Sequence, residues 1–215
     1  MSVQAFLTGL GGALCREELY PTRTAWFAAR HQEKELLRAL EEQLSGQLGA
    51  PVRLAGTVLD GSEPPGGDAA DLMLGETVGG SDGLAPLQGF AISMVLDGRP
   101  PADLRYDDAY LPLRRARETG FHGPLASFRH LLDHDPLEGY YLPLDFPEPL
   151  AIPGAVRGEA SDISFGSASR LASELDRWRA LARAVTLPDW LLGHYENLAL
   201  VTRAALRTGL AMAIT

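Results

Sequence analysis

The sequence predicts an α+β fold: a mixed or antiparallel sheet packed with about four helices in a single globular domain, residues 1–215. Three observations carry this. Apolar residues recur at three-four spacing through two consecutive segments near the end of the chain, residues 167–185 and 188–209. A long segment at 24–48 has the same helical spacing. Short apolar runs bounded by glycine and proline lie near both ends, as strands do.

Taken in order, Val3–Leu7 reads as a first strand, followed by a Gly9–Gly12 turn. In the helix at 24–48, Leu37, Leu40, Leu44 and Leu48 make one stripe, extended backwards by Trp26 and Phe27. Glu33, Glu35, Glu41 and Glu42 lie on its outer face. Gly49-Ala50-Pro51 stops it, and Val52–Leu59 reads as a strand. Residues 61–83, rich in glycine, proline and aspartate, are expected to form a long loop. They lack both the Gly-Lys-Ser/Thr and the Gly-x-Gly-x-x-Gly spacing of a phosphate cradle.

Residues 84–96 fit either a helix or a short strand, and their length and the flanking Ser81-Asp82 and Gly98 favour a helix. Ala109–Leu113 reads as a short strand, and Gly123-Pro124 opens a helix reaching 134. Tyr140–Asp145 reads as a strand, with Pro147, Pro149 and Pro153 barring its continuation in a sheet interior. Ser164–Ser167 reads as a turn, with Ser167 as helix N-cap. Ala168, Leu171, Leu175, Trp178, Ala182 and Val185 then form a stripe, with Glu174 and Arg177 on the opposite face. After Pro188, Leu191, His194, Leu198, Val201 and Ala205 repeat the spacing up to a Gly209 cap. Leu210–Ile214 is a closing strand. The late stripes are expected to pack beside the early helix, with ionisable groups mostly facing water.

Composition narrows the function. Apolar residues at 46% and charged residues at 22% are those of a folded globule. A net charge of −9 argues against nonspecific binding to nucleic acid or to an anionic membrane. Lys34 is the only lysine, a bias expected of a GC-rich bacterial genome. The single cysteine, Cys15, excludes an intrachain disulfide framework and suits a reducing cytosol. No stretch has the roughly 20 apolar residues of a membrane span, and the first residues lack the pattern of a secretory signal. The expectation is a soluble cytoplasmic protein.

His130-Leu131-Leu132-Asp133-His134 is the sharpest local pattern. Two histidines four apart share a helix face and suit a metal ion such as zinc, although no third ligand is marked. The alternative is a pair of solvated histidines near a helix end. Ser167 and Arg170 open a helix and offer an anion site; the alternative there is simple capping. Asp107, Asp108, Glu138, Asp145 and Glu148 suit either acid–base work or a solvated acidic rim. Arg114, Arg115 and Arg117 form a small basic cluster, read as a solvated loop.

The Tyr141-Leu142-Pro143-Leu144-Asp145-Phe146 strand, the Phe165-Gly166-Ser167 turn and the last helix closing on Leu210–Ile214 resemble uncharacterised bacterial proteins of GC-rich genomes. That resemblance implies no activity. The function expected is a non-catalytic binding or interaction protein. A small metal-dependent hydrolase using His130 and His134 is the alternative. No cofactor is expected. The expected partner is another protein or a second copy of the chain through the apolar last strand, with no nucleic acid and no membrane.

Overall fold

The computed structural model describes residues 3–8, 37–52, 75–104, 107–156 and 159–214. Cys15, the Gly9–Gly12 turn, Trp26, Phe27, the expected helix before residue 37, the expected strand beyond Val52 and the loop at 61–74 lie outside the described residues. Within them the fold is α+β, as the sequence predicts.

Six strands form one mixed sheet: β1 (Val3–Thr8), β2 (Gly75–Gly79), β3 (Gly139–Leu142), β4 (Leu150–Val156), β5 (Glu159–Ser167) and β6 (Ala211–Ile214). Their order across the sheet is β2-β1-β6-β3-β5-β4. Only β3 and β5 run parallel; the other neighbours are antiparallel. The last strand is central. Ala211–Ile214 is buried throughout and hydrogen-bonded to β1 on one side and β3 on the other.

The helices divide between the two faces. Helix α1 (residues 37–48) puts Leu40 and Leu44 against Leu142, Ile152, Ile163, Phe165 and Ala211. The opposite face carries α2 (Ala85–Asp97), α3 (Asp107–Thr119), the short α4 (Arg129–Leu132), α5 (Ala168–Ala182) and α6 (Asp189–Thr208). There Leu171, Leu175, Trp178, Leu191, Leu198 and Val201 pack with Tyr141, Met212 and Ile214. The expectation that the late stripes lie beside the early helix is therefore corrected. Side chains alternate across a strand, so Leu142 and Tyr141 enter different cores, with the sheet between α1 and α5–α6.

Other elements also depart from the sequence reading. Gly75–Gly79, placed in the loop, is an edge strand. Ala109–Leu113 is helical, inside α3. The expected helix at 124–134 is a 3-10 turn, Gly123–Phe128, followed by the four residues of α4. Ser164–Ser167 is the end of β5, although Ser167 does cap α5 by accepting the Arg170 N–H at 3.1 Å. Pro153 sits inside β4, which is tolerated because β4 is an edge. Leu48 is exposed, and Tyr195 rather than His194 is buried on α6.

Residues 84–96 form a helix, and its setting explains the ambiguous pattern. Every residue of α2 from Ala85 to Met94 is buried, so it has no polar stripe to mark a helical period. Gly98 ends it in the left-handed conformation at φ 68°. Trp178 donates its indole N–H to the Leu87 carbonyl at 3.0 Å and lies between Phe90 and Tyr195.

Candidate functional site

Polar side chains of four different elements converge on the main chain of one segment, residues 129–138. Helix α4 has four residues, too few to satisfy its own end groups. Its amino end is met by Glu174 of α5, whose two carboxylate oxygens accept the His130 N–H at 2.9 Å and the Leu131 N–H at 2.6 Å. Its carboxyl end is met by Gln88 of α2, which donates to the Leu131 carbonyl at 2.7 Å and the His134 carbonyl at 2.9 Å. Arg117 of α3 donates to the same His134 carbonyl at 3.2 Å. The Tyr141 hydroxyl of β3 donates to the His130 carbonyl at 3.1 Å.

The segment then turns outward. Asp135 accepts the Leu137 N–H at 2.8 Å and the Glu138 N–H at 3.3 Å on one oxygen. The Pro136 carbonyl accepts the Leu84 N–H at 2.8 Å, which fixes the segment against the turn that carries Asp82. Gly83 makes this approach possible. At φ +55° it lies in the left-handed region, and a Cβ there would stand 2.0 Å from the Pro136 oxygen. Asp133 is exposed, and Asp82, Asp135 and Glu138 are half-buried. Four carboxylates are thus carried on two turns anchored to each other.

The groups beneath this surface are shifted by burial. Desolvation pushes the Glu174 carboxyl up from 4.5 to about 8, against the two N–H groups that favour its charged form. Desolvation also lowers His130 and His134 from 6.5 to about 4, so both are neutral at pH 7. Burial raises the Tyr141 phenol above its usual range.

The histidine pair is buried, not solvated: His130 is 2% exposed and His134 1%. His130 Nδ1 accepts the Ser167 N–H at 2.9 Å, so its proton is on Nε2, facing the Pro147 carbonyl at 3.2 Å. No lone pair of that ring is left for a metal. His134 donates from Nδ1 to the Asp135 carbonyl at 2.7 Å and stacks on Tyr141 at 4.2 Å. Among the described residues, no group of three His, Cys, Asp or Glu is placed to hold a metal ion. The two histidines serve as internal struts of the segment.

The other predicted positions are also spoken for. The Ser167 hydroxyl donates to the Leu144 carbonyl at 2.6 Å while capping α5, and Arg170 is paired with Asp145. The anion expected at Ser167 and Arg170 is in this sense the chain's own carboxylate. Glu148 pairs with Arg129. The side chains of Asp107 and Asp108 lie outside the described residues. Arg114, Arg115 and Arg117 belong to helix α3, not a loop, and Arg114 pairs with Glu118 across one turn.

Sequence reasoning missed Gln88 and Glu174. The sequence reading puts Glu174 on the outer face with Arg177, yet it is 4% exposed, and Arg177 instead donates to the Ser127 carbonyl at 2.7 Å. The spacing held the signal, since Glu174 stands three residues after Leu171 and four before Trp178. A second signal was charge placement. Residues 60–148 hold 16 acidic and 6 basic side chains, and the rest of the chain holds 12 and 13. The whole net charge therefore comes from the stretch that contains both anchored turns.

A family model described as "Putative DNA-mimic protein" matches residues 29–190, most of the chain. No curated protein and no solved structure matches. The family match overturns the expectation of a metal-dependent hydrolase at His130 and His134. It narrows the open partner expectation, since the family's description points to proteins that bind DNA; a protein partner and the non-catalytic binding reading fit it, and self-association gains no support from it. Self-association through the last strand is further opposed by topology, because both edges of β6 are already paired. No helix among the described residues is long and apolar enough to cross a membrane.

Proposed function

We propose, on the premise that this chain belongs to the DNA-mimic family whose model it matches, that it binds a DNA-binding protein at the surface where that protein would hold DNA. The observation that carries this reading is the charge placement. The stretch 60–148, with 16 acidic against 6 basic side chains, presents Asp82, Asp133, Asp135 and Glu138 on turns fixed to the core. A protein that holds DNA does so largely through Lys and Arg placed to meet phosphates. Carboxylates held in fixed positions can meet the same cations. They need no base edges, so the reading implies competition with DNA without sequence preference.

A fixed frame matters for this role. Exposed ion pairs on mobile side chains are worth little, whereas charges set on an anchored backbone lose less freedom on binding. The arginine-rich composition and single cysteine support placing this binding in a bacterial cytoplasm.

The test is displacement. Immobilised chain is exposed to a bacterial lysate, washed, and eluted with sheared duplex DNA, and the eluate is identified by mass spectrometry. DNA-binding proteins are expected to come off with DNA, and to be lost from the column when Asp82→Asn, Asp133→Asn, Asp135→Asn and Glu138→Gln are combined. An eluate without DNA-binding proteins, or one unchanged by the combined variant, refutes the proposal.

A further inference from the structure

We infer that Arg117 is a positioning residue for the acidic segment, an inference that deepens the DNA-mimic reading and rests on it. Arg117 is a cation on the exposed face of α3 that reaches the carbonyl of His134, between Asp133 and Asp135. By charge alone it works against the segment, since it weakens the negative field a basic partner would meet. Its geometry gives the opposite contribution.

Both ends of α4 are closed from outside the helix, with the buried Glu174 carboxyl accepting at the N–H end and the Arg117 guanidinium, a charge of the sign favoured there, beyond the carboxyl end. Gln88 and Arg117 share the His134 carbonyl from two different helices. That peptide group stands where the chain leaves α4 for the turn, so fixing it fixes the directions in which Asp133 and Asp135 leave the backbone. The order passes on, because Asp135 in turn holds the Leu137 and Glu138 amides. Losing Arg117 therefore adds negative charge and loosens the turn that presents it.

Those two effects have opposite signs, which makes the inference testable. Arg117→Ala is compared with Arg115→Ala, which removes the same charge from an exposed site on the same helix. The first readout is competition between the chain and labelled duplex DNA for a purified histone-like nucleoid protein. The second is amide hydrogen exchange at residues 135–138 in the free chain. Arg115→Ala is expected to compete about twofold better than the parent, as added charge alone dictates. Arg117→Ala is expected to compete about fivefold worse and to exchange about fivefold faster at 135–138, the equivalent of one ordinary hydrogen bond, as suits a contact that is only partly buried. Arg117→Lys, which keeps the charge and a donor, is expected to recover part of both.

If Arg117→Ala competes better, like Arg115→Ala, or leaves exchange at 135–138 unchanged, the positioning role is overturned. If the parent itself fails to compete, that result counts against the reading of this chain as a DNA mimic toward such proteins. The exchange comparison still decides the role of Arg117.

Discussion

The parent chain is expected to lose stability above about pH 6.5, and replacing Glu174 by glutamine is expected to remove that decline. The carboxyl is buried beneath α4 and pushed from 4.5 to about 8, so the folded chain holds a proton that the unfolded chain has lost. Its contribution is fully present below pH 4.5 and is lost as pH rises through about 8. Each pH unit between those values removes about 1.4 kcal/mol. His130 and His134 act in the other direction. Their folded values are lowered from 6.5 to about 4, so their contribution is present above 6.5 and is lost as pH falls through about 4. Each is worth about 3 kcal/mol over that window. Below about pH 6.5 the two histidines outweigh the one carboxyl; above it the carboxyl acts alone. The parent should therefore be most stable near pH 6.5 and lose about 2 kcal/mol on going to pH 8. Glutamine keeps an acceptor for one of the two N–H groups and has no proton to lose. The Glu174→Gln chain should be flat over that range and fall more steeply on the acid side. Urea unfolding followed by tryptophan fluorescence at a series of pH values reads this directly. A parent profile as flat above pH 6.5 as that of the variant would refute the reasoning, because it would mean that the His130 and Leu131 amides hold the carboxylate charged despite its burial.

Three further outcomes follow from the packing and from the acidic turns. Gly166→Ala should lower stability by about 1–3 kcal/mol through overpacking, since its Cβ would stand 2.4 Å from the Tyr141 ring that lies across it; Gly193→Ala, with nothing within 4 Å inside α6, should be neutral or stabilising in the same thermal melt. Trp178→Phe should cost about 1–3 kcal/mol by removing the indole hydrogen bond to the Leu87 carbonyl and part of a fully buried ring, and should show in the urea midpoint. Binding to a captured DNA-binding protein should weaken as salt is raised, and the combined variant at Asp82, Asp133, Asp135 and Glu138 should lower the slope of log Kd against log salt in a titration series.

How much was legible in the sequence depended on whether an element faced water. The amphipathic helices α5 and α6 were legible because one side of each is wet, and the Ser167 cap and the Gly209 end marked their limits. Helix α2 gave an ambiguous pattern because it is buried all round. Strands β4 and β5 were missed because prolines and serines obscured the alternation of Ile163 and Phe165, and an edge strand tolerates Pro153 where a central one would not. The histidine pair reads as a ligand motif because sequence gives spacing but not the partner of each nitrogen; here three of the four nitrogens are taken by the main chain at Ser167, Pro147 and Asp135, and His134 Nε2 is buried without a partner. The same limit hid Gln88 and Glu174, since a polar residue inside an apolar stripe is recognisable only once the unsatisfied end groups of α4 are seen beside it. The acidic turns were the reverse case. Asp82, Asp133 and Asp135 read as ordinary surface charges one at a time, and what sets them apart is the buried polar scaffold that holds their backbones in place.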